Sequence, residues 1–527
     1  MSTEALLSLR RRRVPAAQLV RYVSAFVGIL VIWWLISLAY EQRGGVVPAP
    51  LGVVTKLISD GWSFYQPNLL ATLGEAAQGY LWGNLIALAL GAITAIAPVI
   101  RPFLSQVALF AYSVPIVAVG PILVTAFPGR APMIILSATA VLFLTLSSVA
   151  DGLGMADRNV LAIVESRGGT AWQRLRFVRA WFALPSMFSA LKMTVPAALL
   201  GAIFGEYLGR VDSGLGVVLV RAQKELEIPR AWGIILVMIF VSCIGYYLLD
   251  LVGRRLLRWA KDFQPGLGLP DPRLWVNVFG IIGSAVLLTG IWWVGLKAAG
   301  INPSIGKTPV DVYQYLFVGS GSAAARASIA RDLAITLGDM MGGFMVGMIL
   351  AIICALLAAR AGWFADLFVP SAIILRATPL VAIAPLMFIA IGRDYLAVTT
   401  LVGIVVFFPA FLVILEGMRV TPRPLREIVE AFGGGRVASA WRVTLPAAIP
   451  YVFSALRITL PNALMGALIA EWLATGRGLG ATLISSISRF EFGTLWAGVV
   501  VATVVSVLLY TLVDIADVLY RRVRHLS

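Results

Sequence analysis

Apolar residues in this chain gather into runs separated by short polar segments. A helix needs about 20 predominantly apolar residues to cross the hydrocarbon core of a bilayer. Runs of that order lie near 24–40, 72–97, 103–127, 132–150, 187–208 and 231–252, and again near 275–296, 335–359, 364–391, 396–415, 452–473 and 496–518. The pattern predicts an all-α polytopic membrane protein with about 12 transmembrane helices. Glycine and proline inside the runs do not argue against helix, because neighbouring spans satisfy the backbone groups they free.

The two sets of runs repeat each other at a shift of 264 or 265 residues. Thr72-Leu73-Gly74 recurs as Thr336-Leu337-Gly338, and Gly79 and Gly83 match Gly343 and Gly347. Pro115, Val117, Ala118 and Pro121 match Pro379, Val381, Ala382 and Pro385. Gly201-Ala202 and Glu206 match Gly466-Ala467 and Glu471, and Gly214-Leu215-Gly216 recurs as Gly478-Leu479-Gly480. Chance resemblance between apolar helices explains shared leucine and alanine. It does not explain proline, glycine and glutamate held in register over two such stretches. The chain is expected to hold two six-helix units, 24–252 and 275–518, flanked by a basic N-terminus at 1–23, a linker at 253–274 and a tail at 519–527.

Composition supports the membrane reading. Hydrophobic residues are 60% and charged residues 13% of the 527 positions, against about 25% charged in soluble domains. The net charge of +16 falls in short loops between apolar runs, which marks topology, not nucleic-acid binding. With the N-terminus inside, the inside segments hold 27 of the 42 Lys and Arg residues. That bias places both termini in the cytosol, and six spans per unit then give the two units one orientation, as parallel repeats. The run following Arg10–Arg13 is long enough to remain as a span, with no cleavage site evident after it. Cys243 and Cys354 lie within apolar runs, and the single histidine is His525. No metal site, disulfide framework or serine–histidine catalysis is expected.

The longest inside loop of each unit lies between its fourth and fifth spans. The second runs Glu427-Ile428-Val429-Glu430-Ala431-Phe432-Gly433-Gly434-Gly435-Arg436 and leads to Leu445-Pro446. The first runs Ala162-Ile163-Val164-Glu165-Ser166-Arg167-Gly168-Gly169-Thr170-Ala171-Trp172-Gln173 and leads to Leu184-Pro185. Each predicts a short helix, a glycine break, a second basic helix and a proline-marked start of the next span. A segment so patterned suits docking into a groove on a soluble partner.

Here the sequence resembles a known family. Glu427, Gly433 and Leu445-Pro446 are similar to the coupling-loop motif of binding-protein-dependent ABC importer permeases, Glu-Ala-Ala, three residues, Gly, then Leu-Pro at fixed spacing. Ile428 and Val429 stand at the two alanine positions. In the first loop Ala162 and Ala180-Trp181 depart from the motif, while Gly168, Trp172 and Gln173 keep its pattern. Glu206-Tyr207-Leu208-Gly209 and Glu471-Trp472-Leu473, each followed by Gly-Leu-Gly, resemble the nitrate/sulfonate/taurine branch, here as two units fused in one chain. The resemblance implies a type I importer permease fold and a pore in a bacterial inner membrane for a small, anionic solute of the nitrate, sulfonate or taurine kind. It implies a cytosolic ABC ATPase dimer that carries ATP and Mg, and a periplasmic or surface-anchored solute-binding protein. No cofactor is expected on this chain, and no enzymatic activity of its own. Coupling residues would be Glu165, Gly168, Gly169, Trp172, Glu427, Glu430, Gly433, Gly434, Leu445 and Pro446.

Four further residues are candidates for the solute path. Glu206 and Glu471 fit either a buried functional acid or a helix-end acid reaching interfacial water or pairing with Arg210 or Arg477. Arg376, before Thr378-Pro379, fits either a cation facing an anionic solute or an arginine paired with an acid. Trp33, Trp34, Trp292 and Trp293 suit the membrane interface or lipid better than a binding cage. Gly306-Lys307-Thr308 imitates a phosphate loop, but Ile301 stands where that motif needs glycine. An ion-coupled secondary transporter is the alternative reading, although the acids shared by both units lie toward span ends, not at mid-membrane.

Overall fold

A computed structural model describes residues 16–41, 46–97, 114–209, 211–257, 274–365, 380–420 and 431–523, with short stretches at 100, 103–104, 106–108, 368–369, 372 and 427–429. The described chain is helical. In the first half α1 is Ala16–Glu41, α2 Pro50–Ile96, α3 Ile116–Ala126 and α4 Ala131–Gly154. Then come α5 Arg158–Ser166, α6 Ala171–Arg174, α7 Ala180–Leu208, α8 Leu215–Lys224 and α9 Ile228–Leu256. The second half has α10 Leu274–Ala298, α11 Pro309–Tyr313, α12 Ser322–Arg360, α13 Leu380–Ile391 and α14 Tyr395–Val420. It closes with α15 Arg436–Ser439, α16 Leu445–Ala470, α17 Leu479–Ser488 and α18 Phe492–Val523.

Among the described residues, 8 helices are long and apolar enough to cross a membrane. They cover the second, fourth, fifth and sixth runs expected in each half. The first runs fall on α1 and α10, of 26 and 25 residues. The third runs fall partly outside the described residues, as does the linker at 258–273. Several helices outgrow the apolar runs. The 47-residue α2 begins well before its run at 72–97, and its backbone breaks at Gly61, where φ is +71°.

Small residues set how closely the spans approach. A Cβ at Gly79 or Gly83 would strike Ser137, Ala138 or Val141 of α4, and one at Gly343 or Gly347 would strike Val402, Gly403 or Val406 of α14. Spans gain little from apolar burial against one another in lipid, so close packing of this kind carries the association. Tryptophans hold the first span of each half to the sixth. Trp33 stacks on Trp232 at 5.6 Å and Trp292 on Trp496 at 5.1 Å, while Trp34 and Trp293 remain exposed. Only the latter two fit the expected interfacial or lipid-facing role.

The halves are joined through their third helices, each of which packs on both. Val117, Ala118 and Ile122 of α3 are buried in the core of the second half, and α3 contacts α16, α17 and α18. Reciprocally, Leu386 of α13 is buried in the core of the first half, and α13 contacts α8 and α9.

Candidate functional site

The two long loops, between the fourth and fifth spans, have the same local build. In the first, Asp157 caps α5 through a 2.7 Å bond from the Asn159 amide. The chain then turns at Gly168, with φ +74°, and at the matching Gly433 φ is +78°. Side chains with a Cβ are strained there, and glycine is not. The next glycine is constrained by space instead. A Cβ on Gly169 would overlap Val164, and one on Gly434 would overlap Val429. The Gly169 amide donates to the Val164 carbonyl at 2.9 Å and the Gly434 amide to the Val429 carbonyl at 2.8 Å. Thr170 and Gln173 then form a capping box at the start of α6, satisfying two amides that a helix start leaves open.

The structure departs from the expected loop in one respect. The second basic helix does not end before the fifth span. It runs on through a π turn, Leu175–Arg179 in one half and Ala440–Thr444 in the other, directly into α7 and α16. Pro446 follows the π turn inside this continuous rod, and its missing N–H falls where the wide turn already departs from the i−4 ladder. Loop and span are therefore one rigid rod after the glycine. Beyond the glycines the loops present apolar tips to the outside. Trp172 is 57% exposed and Trp441 66%, and just before the second glycine turn Ile428 is 53% and Phe432 89% exposed. Glu165 pairs with Arg174 within its own loop. Glu427 is exposed, and Glu430 lies outside the described residues.

At the far ends of the fifth spans, Glu206 and Glu471 are buried. Among the described residues neither reaches water or pairs with Arg477, and Arg210 lies outside them. Glu206 accepts from the Thr72 hydroxyl at 2.6 Å and from the Gly216 amide at 2.6 Å, and the Leu215 amide donates to Thr72 Oγ1 at 2.8 Å. In the second half Glu471 accepts from Thr336 at 2.9 Å and from the Gly480 amide at 2.8 Å, and the Leu479 amide donates to Thr336 at 2.9 Å. Each Thr–Glu pair thus latches the start of a short helix, α8 or α17, onto the spans. Gly214 (φ +150°) and Gly478 (φ +87°) let the backbone pass against the carboxylates.

A cation supports each latch from a different place. Arg130 pairs with Glu75 and bonds Ser213 Oγ at 2.7 Å. In the second half the counterpart of Ser213 is Arg477, which lies 3.9 Å from Asp339, the counterpart of Glu75. Arg376 and Thr378 lie outside the described residues. Thr308, from the imitation phosphate loop, caps α11 together with Asp311, and Lys307 bonds the Pro303 carbonyl at 2.9 Å.

One feature escaped sequence reasoning. Tyr207 and Trp472 occupy equivalent positions, one after each glutamate, and meet edge to face across the two halves at 5.6 Å. Phe204 packs on Trp472 at 6.2 Å. The signal available was the aromatic residue after the glutamate in both copies.

Duplicated helices, twin loops and an aromatic seam between equivalent positions define a membrane transport component. The chain belongs to the family of binding-protein-dependent transport system inner membrane components, whose model matches residues 83–258 and 317–525. It is the permease subunit of an ABC importer. It is similar to a probable ABC transporter permease protein of Haemophilus influenzae, 28% identical over 236 residues that cover 44% of this chain and 94% of that one. It is also similar to the formylaminopyrimidine transport permease protein of Halalkalibacterium halodurans, 24% identical over 238 residues covering 45% of this chain and 94% of that one. The taurine transport system permease protein of Escherichia coli is 24% identical over 229 residues, covering 43% of this chain and 83% of its own length. This chain is about twice as long as these relatives.

Proposed function

We propose that the chain folds as two parallel six-helix units, 24–252 and 275–518, about 12 spans in all, and that these enclose one pore. The loops at 158–179 and 427–444 face the cytosol with both termini and receive an ABC ATPase dimer, which binds ATP and Mg. A solute-binding protein delivers a small solute to the opposite face. The formylaminopyrimidine, sulfonate and taurine permeases among the relatives support an organic solute of modest size. The taurine and sulfonate names favour one that carries an acid group.

The observation that carries this reading is the loop geometry. Both copies have a glycine of positive φ, a second glycine seated on valine, and an exposed apolar tip. Both then continue without a break into a fifth span that ends at the seam. A push on the tip therefore moves the span as a rod, which is what nucleotide-driven switching of a two-state pore requires.

Gly433→Trp tests it. A side chain is strained at its positive φ, but the residue is exposed in the loop with no neighbour within reach, so the strain stays local and the spans should still assemble. ATPase association should weaken about tenfold or more, equivalent to about 1.4 kcal/mol, with uptake falling in parallel. Full uptake in cells lacking the ATPase would overturn the reading.

A further inference from the structure

The duplication supplies an internal comparison at the end of the bundle away from the loops. In the first half, the space between α2 and the start of α9 is filled. Arg230 grips Asp60 through two nitrogens, each at 2.9 Å, pairs with Glu227, and lies 5.2 Å over the Phe64 ring. Lys56 adds a 3.2 Å contact to Asp60. In the second half, the register that matches Thr72 to Thr336 and Trp232 to Trp496 puts Ser328 in place of Phe64 and Thr494 in place of Arg230. Both bulky groups are lost, and a cavity of about 770 Å³ opens there. Trp472, the seam residue, forms part of its wall.

The lining is polar and carries both signs of charge. Asp332 uses one carboxylate oxygen to accept from Thr482 at 2.7 Å, which leaves the other for a ligand. Glu491 keeps the acid of its counterpart Glu227 but faces Thr494 where the first half has arginine. Arg489 lines the exposed rim and makes no ion pair among the described residues. The Ser328 hydroxyl is also free among them. An apolar occupant would leave these groups unpaired, and a simple anion would face two carboxylates.

We infer that this cavity binds a small zwitterion, its ammonium on Asp332 and Glu491 and its acid group on Arg489, beside the seam. Its place on the solute path rests on the permease reading; the binding itself does not.

The test uses the full chain in nanodiscs without ATPase, titrated calorimetrically with β-alanine, propionate and propylamine. β-Alanine is expected to bind saturably, and the other two, each lacking one charge, at least about tenfold more weakly, by 1.4 kcal/mol per tenfold step. Ser328→Phe installs the first half's residue and should abolish β-alanine binding. Asp332→Asn also installs the first half's residue, and should weaken binding about tenfold. Thr494→Arg is a second cavity-filling variant should Ser328→Phe fail to elute as a monodisperse species. Unchanged binding in the folded cavity-filling variant, propionate binding as tight as β-alanine, or no saturable binding by the unaltered chain would each overturn the proposal. ATP-driven uptake with the partner subunits is measured separately, so a failed permease reading and a failed binding site give different results.

Discussion

At the scale of single residues, the latch threonines carry more than their size suggests. Thr72 Oγ1 both donates to Glu206 and accepts the Leu215 amide, and Thr336 does the same for Glu471 and Leu479. Valine keeps the shape but strands a buried amide and a carboxylate oxygen, at about 1–3 kcal/mol for each unsatisfied group. Thr72→Val should raise hydrogen exchange at 213–218 and lower the thermal midpoint, and Thr336→Val should do the same at 477–482. A change confined to one half would show the two latches to be unequal. Asp311 gives a prediction in pH. The Thr308 backbone amide, the largest influence, holds its carboxyl below the ordinary 3.8, burial opposes this, and the Thr308 hydroxyl adds to it. A folded value below the unfolded one means the cap stabilises fully above about pH 4 and loses that contribution as pH falls through the lower folded value. Exchange at the Thr308 and Asp311 amides should therefore rise on acidification beyond its intrinsic pH trend, and Asp311→Ala should remove that pH dependence. The glutamates were legible in the sequence because they repeat in register. Their partners were not, because nothing along the chain marks Thr72 as lying beside residue 206.

At the scale of elements, most helices followed from apolar run length, and the glycine breaks at 168 and 433 followed from composition. Continuity of the second loop helix with the fifth span did not. Proline after a basic stretch suggests a boundary, yet here the preceding π turns loosen the i−4 ladder where the proline cannot donate and carry the chain through. The short helices α8 and α17 were likewise missed, since ten residues between spans look like a loop until their amides are seen to be held by buried acids. The glycine seams are testable. Gly79→Leu should push α2 from α4, and Gly343→Leu should push α12 from α14, because the space at each is already occupied by the facing helix. Overpacking typically costs about 1–3 kcal/mol. Each variant should show lower monodisperse yield and a depressed melting temperature, whereas Gly74→Leu, with open space around it, should behave like the unaltered protein.

At the scale of the whole molecule, the packing of α3 and α13 on both halves makes each half's core depend on the other. The duplication was plain from the repeated motifs. This shared packing was not, because a short apolar helix carries no sign of which half it packs against. The contact between Tyr207 and Trp472 lies where the two fifth spans meet, so relative movement of the halves there must change it. An edge-to-face aromatic pair contributes only about 0.5–1.5 kcal/mol beyond area burial, a small barrier to such movement. If this seam is the closed gate of the pore, a chain carrying Tyr207→Cys and Trp472→Cys, with Cys243 and Cys354 replaced by alanine, should cross-link with a short bismaleimide in the resting state. Cross-linking should stop uptake, while the same chain left unreacted should retain it. Trp472→Ala should leave assembly with the ATPase intact but let solute leak without ATP. Normal uptake through the cross-linked protein would show that the seam only packs the halves together, and would move the gate elsewhere along the fifth spans.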